Sequence, residues 1–324
     1  MKTRIAKLLE GPAPVPGDGG YLIELERRGY VDSGSGRGKV GTGRGSGQFT
    51  PEVVVEQPDA LRELHREFLN AGSQVLQALT FFATREKLTR AGYGKRTEEI
   101  NVEAVRLARE VAGERALVAG SVSRTQLFER EGPESAGHVR DQLDEQIRLL
   151  HDAGVDFLIL ETFFHLEEMR IALECAGNSG LDVLATMSFR PTVTASSDGY
   201  SPAQCAKEMA AAGALAVGAN CEQEPARIIP LVTAMGEAAG VPIIVQPAAF
   251  RTTDETPCFT KMSEFPDDLE TIHVARREFY ELGRTAAERG FGFVGGCCGC
   301  NAAYIRAMTE GIRSRIPDNA PVYA

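Results

Sequence analysis

The chain contains no tryptophan, and aromatic residues make up only 7% of its 324 residues. Any aromatic surface for a cationic ligand must therefore come from phenylalanine or tyrosine. A long apolar run is also missing: none reaches the roughly 18 residues that a membrane-spanning helix needs. Behind Met1-Lys2-Thr3-Arg4 there is no apolar core of the kind that marks a signal peptide. Basic residues are in deficit, 35 against 45 acidic ones, which leaves a net charge of −10. That balance argues against nucleic acid or an anionic membrane surface as a partner. The five histidines (His65, His138, His151, His165 and His273) have no metal-ligand spacing and read as surface or capping residues. No shift in composition marks a second domain. Residues 1–324 read as one domain, and 43% hydrophobic content is enough for a sizeable core. Seven cysteines in a long chain without a signal segment read as thiols or ligands rather than a disulfide framework. A reducing cytoplasm is the expected setting.

What is present is regular alternation. Residues 1–16 hold three prolines and a weak strand signal. Gly17-Asp18-Gly19-Gly20 then leads into the amphipathic run 21–29, which reads as a glycine turn opening a helix. The amides of Gly19 and Gly20 are placed to face an anion there, although an ordinary βα turn would look the same. From residue 58 the period becomes strict. Leu61, Leu64, Phe68 and Leu69 mark a helix face closed by Gly72. Strands follow over 74–80, 116–122, 155–161, 182–189, 214–221, 241–246 and 291–296. Helices over 97–111, 139–150, 165–176, 202–212, 224–238 and 268–289 separate them, with a last helix from Asn301. Eight alternating units predict a parallel sheet closed into a (β/α)₈ barrel, with its active site at the carboxyl ends of the strands.

One stretch breaks the pattern. Residues 33–47 are almost half glycine and include a literal GxGxxG at Gly36, Gly38 and Gly41. No strand precedes it and no helix opens at its end, so the dinucleotide reading fails its context. Lys39 is followed by Val40, which excludes a Walker loop. The run reads as a flexible loop.

The chemistry gathers at two strand ends. Gly218-Ala219-Asn220-Cys221 and Gly295-Gly296-Cys297-Cys298-Gly299 each follow an apolar run. If both runs are parallel strands of one sheet, Cys221, Cys297 and Cys298 emerge at the same edge. Three thiolates there make a zinc site with an open fourth position, the arrangement for catalysis rather than structure. A thiol entering that position would be deprotonated yet electron-rich, which suits alkyl transfer onto sulfur. Three cysteines packed as small hydrophobes is the plain alternative. Cys300 completes a C-x-x-C with Cys297, so a redox disulfide or a four-cysteine structural zinc stays open. Cys175, Cys205 and Cys258 read as packing residues. Glu161 closes an apolar strand and is either a partner for a substrate ammonium or a helix-start cap. Phe49, Phe81 and Phe82 lie near the ends of the first two units, where aromatic faces attract onium groups, although most phenylalanines are simply core.

Together, the glycine turn, Glu161 and the two cysteine motifs resemble the zinc-dependent homocysteine S-methyltransferases, most of all their betaine-using members. The likeness runs through Leu64-His65-Arg66-Glu67-Phe68, Val155-Asp156-Phe157-Leu158-Ile159 and Ser263-Glu264-Phe265-Pro266 to cover nearly the whole chain. It implies a barrel with Cys221, Cys297 and Cys298 as ligands of Zn²⁺. It implies homocysteine held by Asp18, Gly19, Gly20 and Glu161, with an onium methyl donor against Phe49, Phe81, Phe82 and Thr162. Glycine betaine is the expected donor; the alternatives are a sulfonium donor such as dimethylsulfoniopropionate or S-methylmethionine, or another thiol or selenol as acceptor. Four departures stand out. A tryptophan of the betaine enzymes corresponds to Phe49. Two tyrosines correspond to Phe82 and Thr162, which removes hydroxyls that place the betaine. The run 33–47 is longer than in the family. A C-terminal arm used by the animal enzymes to assemble is missing, and a homo-oligomer is compatible with that.

Overall fold

A computed structural model describes residues 2–30, 52–189 and 194–315. The glycine-rich run 33–47 and Phe49 lie outside the described residues. Eight parallel strands alternate with eight principal helices. The strands are β1 (Val15–Pro16), β2 (Val75–Ala78), β3 (Leu117–Ser123), β4 (Phe157–Phe163), β5 (Val183–Met187), β6 (Ala216–Asn220), β7 (Ile243–Gln246) and β8 (Phe293–Val294). The helices are α1 (Pro58–Ala71), α2 (Thr97–Ala112), α3 (Ala136–Asp152), α4 (Leu166–Ser179), α5 (Pro202–Ala211), α6 (Pro225–Ala239), α7 (Arg276–Arg289) and α8 (Ala302–Arg313). The sheet order is β1-β8-β7-β6-β5-β4-β3-β2. The Gln74 N–H reaches the Pro16 carbonyl at 2.8 Å and brings the ring nearly to closure. This is the (β/α)₈ barrel that the alternation predicts.

The strands are buried on both faces, and their period of two sorts side chains into two cores. Outward positions such as Leu76, Val118, Leu158, Leu160, Val217 and Val245 pack beneath the helices. Inward positions Val15, Val75, Leu117, Ala119, Phe157, Ile159, Leu184, Ala216, Ile244 and Phe293 fill the lower barrel. Ile5 and Leu9 join that inner cluster from a short helix, Arg4–Leu9, capped by the Thr3 hydroxyl. The weak strand expected within residues 1–16 is β1; the helix before it was not legible, because six residues are too few to show a helical period.

Helix punctuation follows the sequence. Ser201 accepts from the Gln204 amide in a capping box, with Pro202 at the first helical position. Gly72 closes α1 in the left-handed region. The expected helix over 268–289 is not continuous. A 3₁₀ turn, Leu269–Ile272, precedes α7, and between them Val274 donates to the Ala249 carbonyl at 2.9 Å. Pairing with the loop after β7 takes the backbone groups that a helix would need.

A candidate active site at the carboxyl edge of the barrel

Above the apolar floor the inward side chains turn polar. Gln77 of β2, Ser121 of β3, Glu161 of β4, Thr186 of β5, Asn220 of β6 and Gln246 of β7 are all buried. They form one hydrogen-bonded layer. Gln77 Nε2 and Ser121 Oγ each donate to Glu161 Oε1 at 2.6 Å. Gln246 Nε2 donates to Gln77 Oε1 at 2.9 Å. Asn220 Oδ1 accepts from the Thr162 amide at 2.8 Å and from Thr186 Oγ1 at 2.9 Å. Its Nδ2 donates to Thr162 Oγ1 at 2.7 Å and lies 3.9 Å from the Cys297 sulfur. Asn220 thus ties the carboxylate strand to the cysteine loop.

The three cysteines meet above this layer. Cys221 and Glu222 turn the chain out of β6 in consecutive left-handed conformations, with φ of 62° and 59°. For residues with a Cβ this costs on the order of 1 kcal/mol or more each, and such strain persists where the surroundings over-determine it. Here the Cys221 amide donates to the Gln246 carbonyl at 2.9 Å, and the Phe259 amide to that of Glu222 at 3.0 Å. On the other side, the Cys297 amide donates to Pro247 at 2.8 Å and the Cys298 carbonyl accepts from Ala249 at 2.9 Å. The sulfurs of Cys221 and Cys298 lie 3.5 Å apart, and all three sulfurs lie within 4.8 Å of one another. Three thiolates on one tetrahedral zinc stand about 3.8 Å apart, given Zn–S bonds of about 2.3 Å. The cluster fits a metal ion of that kind. Hydrogen bonds from the Cys297 and Cys298 thiols hold Cys221 well below the usual thiol range, and their own interaction with Cys221 pushes them well above it.

Cys300 does not join the cluster. It is buried, and its thiol is aimed at the Pro247 carbonyl at 3.4 Å. All seven cysteines are free thiols, and Cys175, Cys205 and Cys258 are buried as packing residues.

The glycine turn is explained by close approach. A Cβ on Gly20 would stand 2.4 Å from the Cys297 carbonyl oxygen, and one on Gly19 would stand 2.1 Å from that of Cys300. The same proximity corrects one expectation: the Gly20 amide already donates to Cys300 O at 2.9 Å. Only the Gly19 amide has no backbone partner among the described residues. Asp18 stands one layer deeper. Gly19, Gly20 and Tyr21 line the cavity, with the Asp18 carboxylate fully buried behind them. Its Oδ2 accepts from Tyr21 Oη at 2.5 Å and from the Gln77 amide at 2.6 Å, while Oδ1 has no partner among the described residues. Burial pushes Asp18 up to about 7, against the pull of those hydrogen bonds. Burial likewise pushes Glu161 up to about 7, against its bond from Ser121 and with Asp18 and Cys221 adding to the shift. Two carboxyl groups held this way are matched to a ligand that brings positive charge.

The cavity is also lined by Phe81, Phe82, Thr162 and Phe164 from the ends of β2 and β4, and by Phe259 and Phe265, which pack in one cluster with the three cysteines. The rings of Phe81 and Phe82 are 4.2 Å apart and tilted by 56°. Phe82 is less open than a cation box requires, because Lys87 Nζ already lies 4.0 Å over its ring. The Thr162 hydroxyl is engaged by Asn220.

The histidine reading needs correction at two positions. His65 is fully buried, bonded through Nδ1 to Tyr21 Oη at 3.0 Å and pushed down to about 3 by burial. His165 stands with Glu129 and Glu168, its ring nitrogen within 4.8 Å of their carboxylate oxygens. Gln77, Ser121 and Gln246 were missed as site residues. The usable signal was a polar residue at an inward position near the end of an otherwise apolar strand.

Residues 17–312 match the family model described as homocysteine S-methyltransferase. The chain belongs to that family. It is similar to betaine–homocysteine S-methyltransferase 1 of Xenopus laevis, 38% identical over 95% of this chain and 75% of that protein. It is also similar to an S-methylmethionine–homocysteine S-methyltransferase of Pongo abelii, 36% identical over 95% of this chain and 81% of the relative. Among solved structures, the homocysteine methyltransferase MmuM from Escherichia coli in its metallated form shares the fold. The TM-score is 0.70 at 20% identity, covering 93% of this chain and 97% of that one. As a family member the protein is an enzyme, and Cys221, Cys297, Cys298 and Glu161 all fall within the matched residues. No helix among the described residues is long and apolar enough to cross a membrane.

Proposed function

We propose that the protein transfers a methyl group from an onium donor to the thiol of homocysteine, giving methionine, with glycine betaine as the favoured donor. The observation that carries this is the three-thiol cluster opening onto a cavity whose far wall is aromatic. Cys221, Cys297 and Cys298 would hold zinc. Bound there, zinc lowers the pKa of a joining thiol and keeps its sulfur nucleophilic at neutral pH. Glu161 receives the homocysteine ammonium, with Asp18 adding its charge from behind Tyr21 and Gln77. The Gly19 amide is available to the amino acid's carboxylate. Asn220 and Gln77 orient these groups and replace water in the layer below.

The homocysteine sulfur then attacks the donor methyl in line. The new S–C bond forms as the methyl–onium bond breaks, and that electron pair stays on the departing nitrogen. The leaving group becomes a neutral amine, so no residue has to protonate it. Phe81 favours the onium electrostatically, and Phe82 beside it helps exclude water. The relative named for S-methylmethionine supports a second reading, a sulfonium donor.

The test is methionine formation by purified, zinc-loaded protein from homocysteine with glycine betaine as sole donor. Methionine and dimethylglycine in equal amounts are expected. Turnover with neither betaine nor a sulfonium would overturn the proposal.

A further inference from the structure

Arg124 is the only basic side chain among the described residues that line this cavity. The other ionisable groups on the wall are Tyr21, Glu161, Glu222 and the three cysteines. Arg124 follows β3, and its guanidinium is packed on aromatic rings, 4.0 Å from the centre of Phe164 and 5.5 Å from that of Phe82. Its Nε donates to Glu129 at 2.8 Å, and Nη1 lies 3.4 Å from the Thr162 carbonyl. The side chain is about 10% exposed. It is therefore a rigid fork of N–H donors at the wall that carries Phe82 and Thr162, across the sheet from the thiols of the β6 and β8 ends.

A guanidinium is an odd neighbour for a site that takes an onium cation. Lys87 Nζ, 4.0 Å over the Phe82 ring, adds a second basic group on the same side. Burial, helped by Arg124, pushes Lys87 down to about 7. Like charges at this range disfavour a donor that is only a cation. They favour one that brings its own anion to the guanidinium while its onium end faces the thiols.

We propose that Arg124 docks the carboxylate of the methyl donor and so selects a zwitterion of zero net charge. This rests on the methyltransferase reading above and deepens it to a substrate class: a carboxylate one or two carbons from a quaternary ammonium or a sulfonium. S-Methylmethionine, with an added ammonium beside its carboxylate, is selected against. Arg124 acts on binding and orientation and takes no part in bond making.

The experiment separates this proposal from the reading beneath it. 3,3-Dimethylbutanoate has the shape and carboxylate of betaine, with carbon in place of the onium nitrogen, and cannot donate a methyl group. It is titrated calorimetrically into homocysteine-loaded, zinc-replete protein. Binding to the wild type is expected, weakened on the order of 10- to 100-fold in Arg124→Gln, the range for one charge-assisted contact. Arg124→Lys keeps the charge and should recover part of the loss. The alcohol 3,3-dimethylbutanol should bind both proteins alike. No binding to the wild type, or equal binding to wild type and Arg124→Gln, overturns the proposal, and Arg124→Lys decides the matter if the glutamine variant does not fold.

Steady-state assays add a second arm. The ratio of kcat/KM for a zwitterionic donor over S-methylmethionine should fall roughly tenfold or more in Arg124→Gln, through KM rather than kcat. Glycine betaine and dimethylsulfoniopropionate are assayed side by side to tell which onium is used. A shift in the homocysteine KM alone would place Arg124 on the other substrate and sink the idea. If the analogue binds as expected and no donor is turned over, the methyltransferase reading fails and the carboxylate site stands.

Discussion

The lower and upper halves of the barrel interior are built from the same strands and do opposite things. In β4, Phe157 and Ile159 point inward to an apolar floor, and two residues later Glu161 points inward to the site. β2 does the same with Val75 and Gln77, and β7 with Ile244 and Gln246. The floor is apolar and closed by Ile5 and Leu9. The upper layer buries carboxyl groups with unmatched capacity, such as Asp18 Oδ1, and turns the chain through left-handed residues at Phe82, Thr162, Cys221 and Glu222. Stability is concentrated below and strain above. That division is what a site pre-organised for a charged ligand should look like.

Substitutions at the two levels should therefore separate function from stability. The largest effect is expected at Cys221. Cys221→Ala should lose zinc and turnover together, by a factor on the order of 10³ or more, since in the proposed mechanism the cation would be the main electrostatic element. Metal analysis beside the activity assay checks this; stoichiometric zinc with full activity would end the metal mechanism. Phe157→Ala, in the floor, should cost about 3–5 kcal/mol of stability in a denaturant titration. Its kcat, corrected for the folded fraction, should stay within about twofold of the wild type, because the cavity it leaves is below the site.

Glu161→Gln should raise the homocysteine KM on the order of 10- to 100-fold, the range for a hydrogen bond to a charged group. The same variant should melt higher than the wild type at pH 8 in the absence of substrate. Glu161 has a folded pKa near 7, raised by burial above the ordinary 4.5. Between those values the native state holds more protons than the unfolded chain, so stability falls as pH rises through the window. At pH 5 Glu161 is protonated and uncharged in the fold, and the variant should gain little there. A higher melting temperature at pH 5 but not at pH 8 would contradict the assignment. The smallest effect is the wild-type slope itself. Asp18 shifts in the same direction to about 7, so stability of the substrate-free protein should decline from about pH 4.5 to 7 and then level off. Homocysteine should flatten that slope by supplying an ammonium.

Much of this was legible in advance. The alternation of helix faces such as Leu61, Leu64, Phe68 with apolar runs such as 155–160 prescribes the barrel, and strand ends then prescribe where chemistry gathers. Cys221, Cys297 and Cys298 could be grouped as candidate ligands because parallel strands place their carboxyl ends at one edge. The fate of the Gly20 amide was not legible, since it depends on a carbonyl of Cys300 some 280 residues away. Nor was the broken helix before α7, which is decided by pairing with the loop after β7. His65 looked like any helical histidine until α1 turned it toward Tyr21.

The sequence by itself determined the alternation of strands and helices, the candidate ligands and the family, because these depend on period, punctuation and residue type along the chain. Only the tertiary structure decided which polar residues join into one layer, which amides remain for a substrate, and which cation faces the donor. Arg124 is one arginine among many in the chain. Its meaning comes from three strand ends, β2, β3 and β4, that fold Phe82, Arg124 and Phe164 against one another. Contacts between residues distant in sequence are set by packing, and packing is not written in any one stretch.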